Sequence, residues 1–311
     1  MTVENSYFDS LADLSVDDIM TSTELLDAAI AEISEGKQAH DLLFDPFNTN
    51  GKLTVSYYLD SAPSLDEKVQ AVAEFSEIPV GDAVRGKKRH LDLDTVGVGI
   101  RVSLQQRKFG SGADIQRELA GRAAEISRAN GLAALQAIKA ETIEELPVVA
   151  KWNTPEGKPM DDLYAGDDLL AGATDDNGKL FNYTARYVWG NRRTINALKR
   201  NKQVTDMYTG DMAHADPRFT ALGEQPVIAE QFLLVVDPGM ADGEVYIISE
   251  TNHGGIGSRF EAAAPMFSDW YEEGGASGLG GPRLSWRSDY VDFRSYGIRA
   301  PQAIVKLTGA I

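Results

Sequence analysis

The 311 residues carry 47 acidic against 30 basic side chains, a formal net charge of −17, with 43% hydrophobic content and no cysteine. Disulfide and thiolate chemistry are thereby excluded, and a zinc site would need histidine and carboxylate alone. The acidity argues against tight nucleic-acid binding, because a basic face that neutralises phosphate supplies most of that affinity. No run approaches the ~20 apolar residues of a membrane span, and the opening MTVENSYFDS has neither a basic start nor an apolar leader. A soluble protein made in a cytosol is expected.

In chain order, residues 1–50 read as an N-terminal arm with one helix. Ser22 or Thr23 can cap it, Leu25, Leu26, Ala29, Ile30 and Ile33 recur at helical spacing, and Gly36 ends it. Asp45-Pro46 and Asn50-Gly51 mark turns. Residues 51–104 read as an extended hairpin. Its outward leg is the strand-like run Leu53–Tyr58, and its return leg is the strict alternation of Val96, Val98, Ile100, Val102 and Leu104. Between the legs lies a basic cluster, Arg85-Gly86-Lys87-Lys88-Arg89-His90, expected at the loop tip; the bland reading is a solvated charge run.

Residues 105–149 hold the longest helix, from about Asp114 to Lys139, with Ser111 and Asp114 as a capping signal. Ile115, Leu119, Ala123, Ile126, Leu132, Leu135 and Ile138 form its apolar stripe, and Gly131 marks a bend or a close contact. Residues 150–285 read as a second, more globular unit. A helix starts at Thr194 and runs toward Val204, and strands over Phe232–Val236 and Glu244–Ile248 flank the turn Asp237-Pro238-Gly239. Interspersed strands and helices make the class α+β.

Catalytic motifs fail on spacing. The glycine pairs at Gly97 and Gly99, Gly255 and Gly257, and Gly278 and Gly280 lack the third glycine of a dinucleotide loop. Gly157-Lys158 and Gly178-Lys179 lack the following Ser or Thr of a phosphate loop. His40, His90, His214 and His253 are widely separated, so the run Asp211–Asp216 around His214 reads as loop and not as a metal cluster. Asp161-Asp162 and Asp167-Asp168 read as an acidic solvated loop, and Tyr183, Tyr187 and Trp189 as strand or interface. No catalytic, cofactor-binding or metal-ligating residue is assigned, and no enzyme is expected.

The tail, residues 286–311, closes with Trp286, Tyr290, Phe293, Tyr296, Pro301 and the apolar run Ala303-Ile304-Val305. Chain ends usually fray and lose apolar character, so this one is expected to pair into a sheet and complete a core begun far upstream. Its motif, WRSDY followed by YGIRAPQAIVKLTG, resembles the tail of tailed-bacteriophage major capsid proteins, the Hong Kong ninety-seven fold. The passage GIRVSLQQRKFGSGADIQRELAGRAAEISRANGLAAL adds to the likeness, which runs from about residue 50 to the end.

The resemblance implies an N-terminal arm (1–50), an extended E-loop (51–104), a peripheral domain with a spine helix (105–149), an axial domain (150–285) and a return to the peripheral domain (286–311). It implies self-assembly through pentamers and hexamers into an icosahedral virion shell around double-stranded DNA, built in a bacterial host's cytoplasm. Scaffolding protein, maturation protease, portal and cement proteins are the implied partners. Arg85, Lys87, Lys88 and Arg89 are then expected to contact acidic surface on a neighbouring subunit. Some members crosslink an E-loop lysine to a neighbour's asparagine. Lys87 and Lys88 lie in the corresponding loop, but the asparagine and assisting glutamate have no match, so that reaction is not carried over. The short leading segment also departs from members with a long N-terminal scaffolding segment. An encapsulin-like nanocompartment is the alternative, told apart by its cargo. An isolated α/β enzyme or binding module is a third, told apart by small size in solution.

Overall fold

The computed structural model describes residues 11–21, 23–34, 39–66, 71–72, 76, 78, 80–209, 227–229, 231–251 and 255–311. In chain order the strands are β1 (Phe44–Asn48), β2 (Thr54–Tyr58), β3 (Lys88–Asp92), β4 (Asp94–Ser103), β5 (Glu144–Pro147), β6 (Ala185–Gly190), β7 (Val227–Ile228), β8 (Phe232–Val236), β9 (Val245–Ser249), β10 (Gly257–Glu261), β11 (Met266–Phe267), β12 (Tyr271–Glu272), β13 (Ser285–Ile298) and β14 (Ile304–Thr308). Helices interleave with them, so the class is α+β, as expected.

The tail organises both large sheets. β13 pairs antiparallel with β4 along Ser285–Arg294 on one edge, and with β12, β11 and β10 in succession on the other. β1 then adds in parallel to β10. β14 enters the second sheet, whose order is β5-β14-β9-β6-β8-β7. A strand with neighbours on both edges is buried on its hydrogen-bonding sides, which explains why an aromatic, apolar sequence stands at the end of the chain. Trp286, Tyr290 and Tyr296 are all buried.

The sheets cut across the expected domain limits. β10, β11 and β12, inside 150–285, pair with β13 beside β4, whereas β5, inside 105–149, pairs with β14 in the second sheet. β8 and β9 do flank the turn at Asp237, where the carboxylate accepts the Gly239 N–H at 2.7 Å. They are not partners, however, because β6 lies between them.

The long helix spans Gly112–Lys139, about 40 Å at 1.5 Å per residue. The Asp114 carboxylate accepts from the Ser111 N–H at 3.4 Å, as its capping signal suggested. The helix serves two cores. Ile115, Leu119 and Ile126 pack with Ile100, Val102, Phe267 and Tyr290, while Ala134, Leu135 and Ile138 join the larger core around the second sheet. Leu132 departs from the expected stripe and is 40% exposed, since the buried line runs Ile126, Asn130, Ala134 at four-residue steps. Gly131 would accept a Cβ in ordinary contact with Asp237 and His40, so no close approach requires it. Gly112 is the constrained glycine: a Cβ there would fall 1.9 Å from the Leu11 carbonyl oxygen.

That contact reflects a second difference. The leading segment holds helices at Val16–Thr21, Thr23–Ser34 and Ala39–Leu43 where one was expected, and it forms part of a core. Leu11, Val16, Ile19, Leu26 and Ala29 are buried in the cluster with Ile115 and Leu119. Amphipathic helices this short gain stability from tertiary packing more than from intrinsic propensity, so a single helical period could not reveal the other two. Ser22 and Gly36, the expected boundary residues, lie outside the described residues.

His40, on the helix Ala39–Leu43, is 4% exposed, with its ring edge-on to Tyr296 of β13 at 6.0 Å between centroids. Burial holds its imidazole below the ordinary value; Arg259 and Arg294 act in the same direction, and Asp41 and Asp237 oppose them. The unfolded chain therefore binds a proton that the folded chain refuses. The histidine's contribution is complete above the unfolded pKa of about 6.5 and is lost as pH falls through and below it. Asp292 nearby, pushed up by burial, has the opposite sign at more acidic pH. Denaturant titrations should show wild-type stability falling between about pH 6.5 and 5, with a shallower fall in His40→Gln; identical slopes would contradict this.

Candidate assembly surfaces

The extended hairpin is present, with a different return leg. β2 pairs antiparallel with β3, Thr54 opposite Asp92 through Tyr58 opposite Lys88. Its ladder continues outward through Leu59 N–H to Lys87 carbonyl at 2.9 Å, Val84 to Ser64 at 3.0 Å and Asp66 to Asp82 at 3.0 Å. The alternating run expected to return is β4, which lies against β13 with its apolar face under the long helix. Alternation identified a strand with one buried face; it held no information about which strand lies alongside.

This register moves the basic cluster. Lys88 and Arg89 open β3 at the inner half of the flap, and farther out Leu65 bridges Ala83. One face of the inner half is covered by the chain itself, with Val55, Tyr57 and Leu91 packed on Leu93, Phe260, Ala262 and Phe293. Tyr57 lies 5.5 Å from Phe260 between ring centroids, and the Asp60 N–H donates to the Arg299 carbonyl at 2.8 Å. The expectation that the hairpin has no cover of its own is therefore corrected for β2 and β3. Farther out, Leu65, Val72, Ile78 and Val80 are exposed, the last at 86%. Exposed apolar side chains add little to the stability of their own chain, and where several lie together they mark a contact surface.

The four basic residues separate into two pairs. Arg89 bonds Glu141, just beyond the long helix, and its guanidinium is raised by that carboxylate and by Tyr57. Lys87 Nζ reaches Asp176 Oδ2 at 3.0 Å, both side chains largely exposed. Arg85 and Lys88 are exposed and form no ion pair among the described residues. Arg89→Ala should cost about 1–2 kcal/mol, because it strands the mostly buried Glu141 carboxylate. Lys87→Glu should change stability by less than about 1 kcal/mol, as exposed pairs do. Thermal denaturation of the two variants checks the order, which the reverse ranking would refute.

The acidic run is not a solvated loop. Residues Pro159–Ala171 form a helix in which Asp162 is buried, accepting the Trp152 indole N–H at 2.8 Å. Asp167 accepts the Ala185 N–H at 2.6 Å and Gln231 Nε2 at 2.9 Å, which ties the helix to β6. These carboxylates position structure. Among the described residues, no group of three or more His, Cys, Asp or Glu is arranged to hold a metal; His214, His253 and Asp211–Asp216 lie outside them. Tyr183 and Trp189 are buried, Trp189 within β6. One further basic segment, Arg192 to Lys202, matches no motif, yet its five cations without an acid are legible in the sequence.

No family model matches the chain, and no curated protein does. Solved structures do. A virus-like particle from Pyrococcus furiosus aligns over 91% of this chain and 97% of its own, at 10% identity and TM-score 0.56. A phage-related protein from Bordetella bronchiseptica covers 90% and 96% at 11% identity and 0.55. The capsid of an empty GTA particle covers 86% and 88% at 13% identity and 0.54. At such identities the likeness is one of fold, and it extends over nearly the whole chain. The fold is that of phage capsid structures, as the tail motif implied.

Proposed function

We propose that the chain is the major subunit of a closed icosahedral shell around phage double-stranded DNA. The observation that carries this is the distal flap, with Leu65, Val72, Ile78 and Val80 exposed on a chain of capsid fold. Side chains exposed on the single chain lose that area only against another molecule, and a heterologous contact repeated around a ring supplies one. Arg85 and Lys88 remain available to meet acidic surface on the next copy, while Lys87 and Arg89 serve contacts within the chain. Charge contacts of that kind set approach and register more than affinity. The net charge of −17 suits a wall that encloses DNA without adhering to it. Assembly in a host cytoplasm, with scaffolding, protease, portal and cement proteins, belongs to the same reading.

Electron microscopy of the purified protein tests the shell, and nuclease digestion of particles assembled in the host together with those partners tests the DNA. Closed particles holding nuclease-resistant DNA are expected, and Ile78→Asp with Val80→Asp should leave a folded chain that builds none. A monomer or dimer from the wild type overturns the shell, and particles filled with enzyme overturn the DNA.

A further inference from the structure

The helix Arg192–Arg200 and the start of the next one read RRTINALKRNK, five cations with no acid, in a chain of net charge −17. Arg193 is paired with Asp242 at 2.7 Å. Arg192, Arg200 and Lys202 are exposed and form no ion pair among the described residues. They line a cleft of about 890 Å³ together with Trp152, Pro155 and Ala197.

The walls of this cleft are held in place. The Asn201 side-chain amide donates to the Trp152 carbonyl at 2.9 Å and to the Gly157 carbonyl at 3.0 Å, joining the helix break to the opposite wall. Trp152 is fixed in turn by Asp162. A preformed site loses little entropy on binding.

We infer that this cleft is the socket for an acidic segment of a neighbouring copy, an inference that rests on the shell reading and names one of its contacts. The cations share the lining of this cleft with Pro155, Ala197 and Ile311, a mixture that suits carboxylates flanking an apolar side chain, and a nucleic-acid occupant is left as an outcome of the test. The charge balance supplies the occupant, because a second copy carries the same net charge of −17, and a ring contact sets a different surface of the neighbour against each cleft. The contact is electrostatic in part and so is screened by salt.

The test compares wild type with Arg192→Glu/Arg200→Glu/Lys202→Glu, and with the same three positions changed to glutamine. Circular dichroism monitors folding, sedimentation and electron microscopy count particles, and each protein is measured at low and high salt. Expected are a wild-type particle yield that falls with salt, a glutamate variant at least about tenfold lower at low salt, and a glutamine variant between them. A glutamate variant that assembles like wild type overturns the inference. So do normal variant particles that retain less nucleic acid, which would show the cations facing an enclosed polyanion. If the glutamate variant does not fold, the glutamine variant decides alone. A wild type that makes no particles at any salt overturns the shell reading itself, and the wild-type arm reveals that before any variant is compared.

Discussion

Both large sheets depend on one stretch of chain, Ser285 to Thr308. β13 is paired along both edges, and five residues beyond it β14 lies between β5 and β9. Neither sheet is complete until the last residues are in place, and the backbone groups of four other strands find partners on β13. Pairing across such sequence separations is slow, since loop closure costs entropy before contacts offset it. The two cores are thereby joined through the tail, and also by a helix with its first half in one core and its second half in the other.

A cluster of charge joins β10, β13 and the helix Ala39–Leu43. Arg294 Nη2 meets Asp292 at 2.9 Å and Glu261 at 3.2 Å, and Arg259 meets Asp41 at 2.5 Å and Glu261 at 2.8 Å. Burial raises the Asp292 carboxyl and pushes the Tyr296 phenol up to about 12. Buried pairs of this kind add little net stability against an apolar replacement. They penalise a slip of register, because a one-residue shift of β13 would send Arg294 and Asp292 to the other face without partners. A tile that must fit many identical neighbours gains from a backbone with one register.

Much of this was legible in the sequence, and the reasons differ by element. The tail could be read because apolar, aromatic residues at a chain end have few explanations other than pairing. The long helix could be read because its stripe repeats over seven turns, apart from Leu132, where the buried line passes through Asn130 and Ala134 instead. The partner of the outward hairpin leg could not. β3 reads Lys-Arg-His-Leu-Asp and has no apolar alternation, so the stronger pattern of β4 masks it in the sequence. The arm was misjudged for a related reason: Leu11, Val16 and Ile19 are too few for a visible period, and only the N-terminal half of the long helix gives them a surface to cover. The carboxylates Asp162 and Asp167 looked solvated because their donors, Trp152 and Gln231, are remote in sequence or outside any motif.

These features converge on a rigid body bearing a flap whose outer apolar residues are left to a neighbour. With no cysteine in the chain, Val80→Cys introduces a unique thiol at the most exposed large apolar position among the described residues of the flap. The rate of its modification by a soluble thiol reagent, compared between assembled particles and the dissociated chain, reads directly whether sister copies cover the tip. A rate at least about tenfold lower in particles is predicted, as for a side chain moved from solvent into a packed contact. Equal rates in the two states would contradict the account.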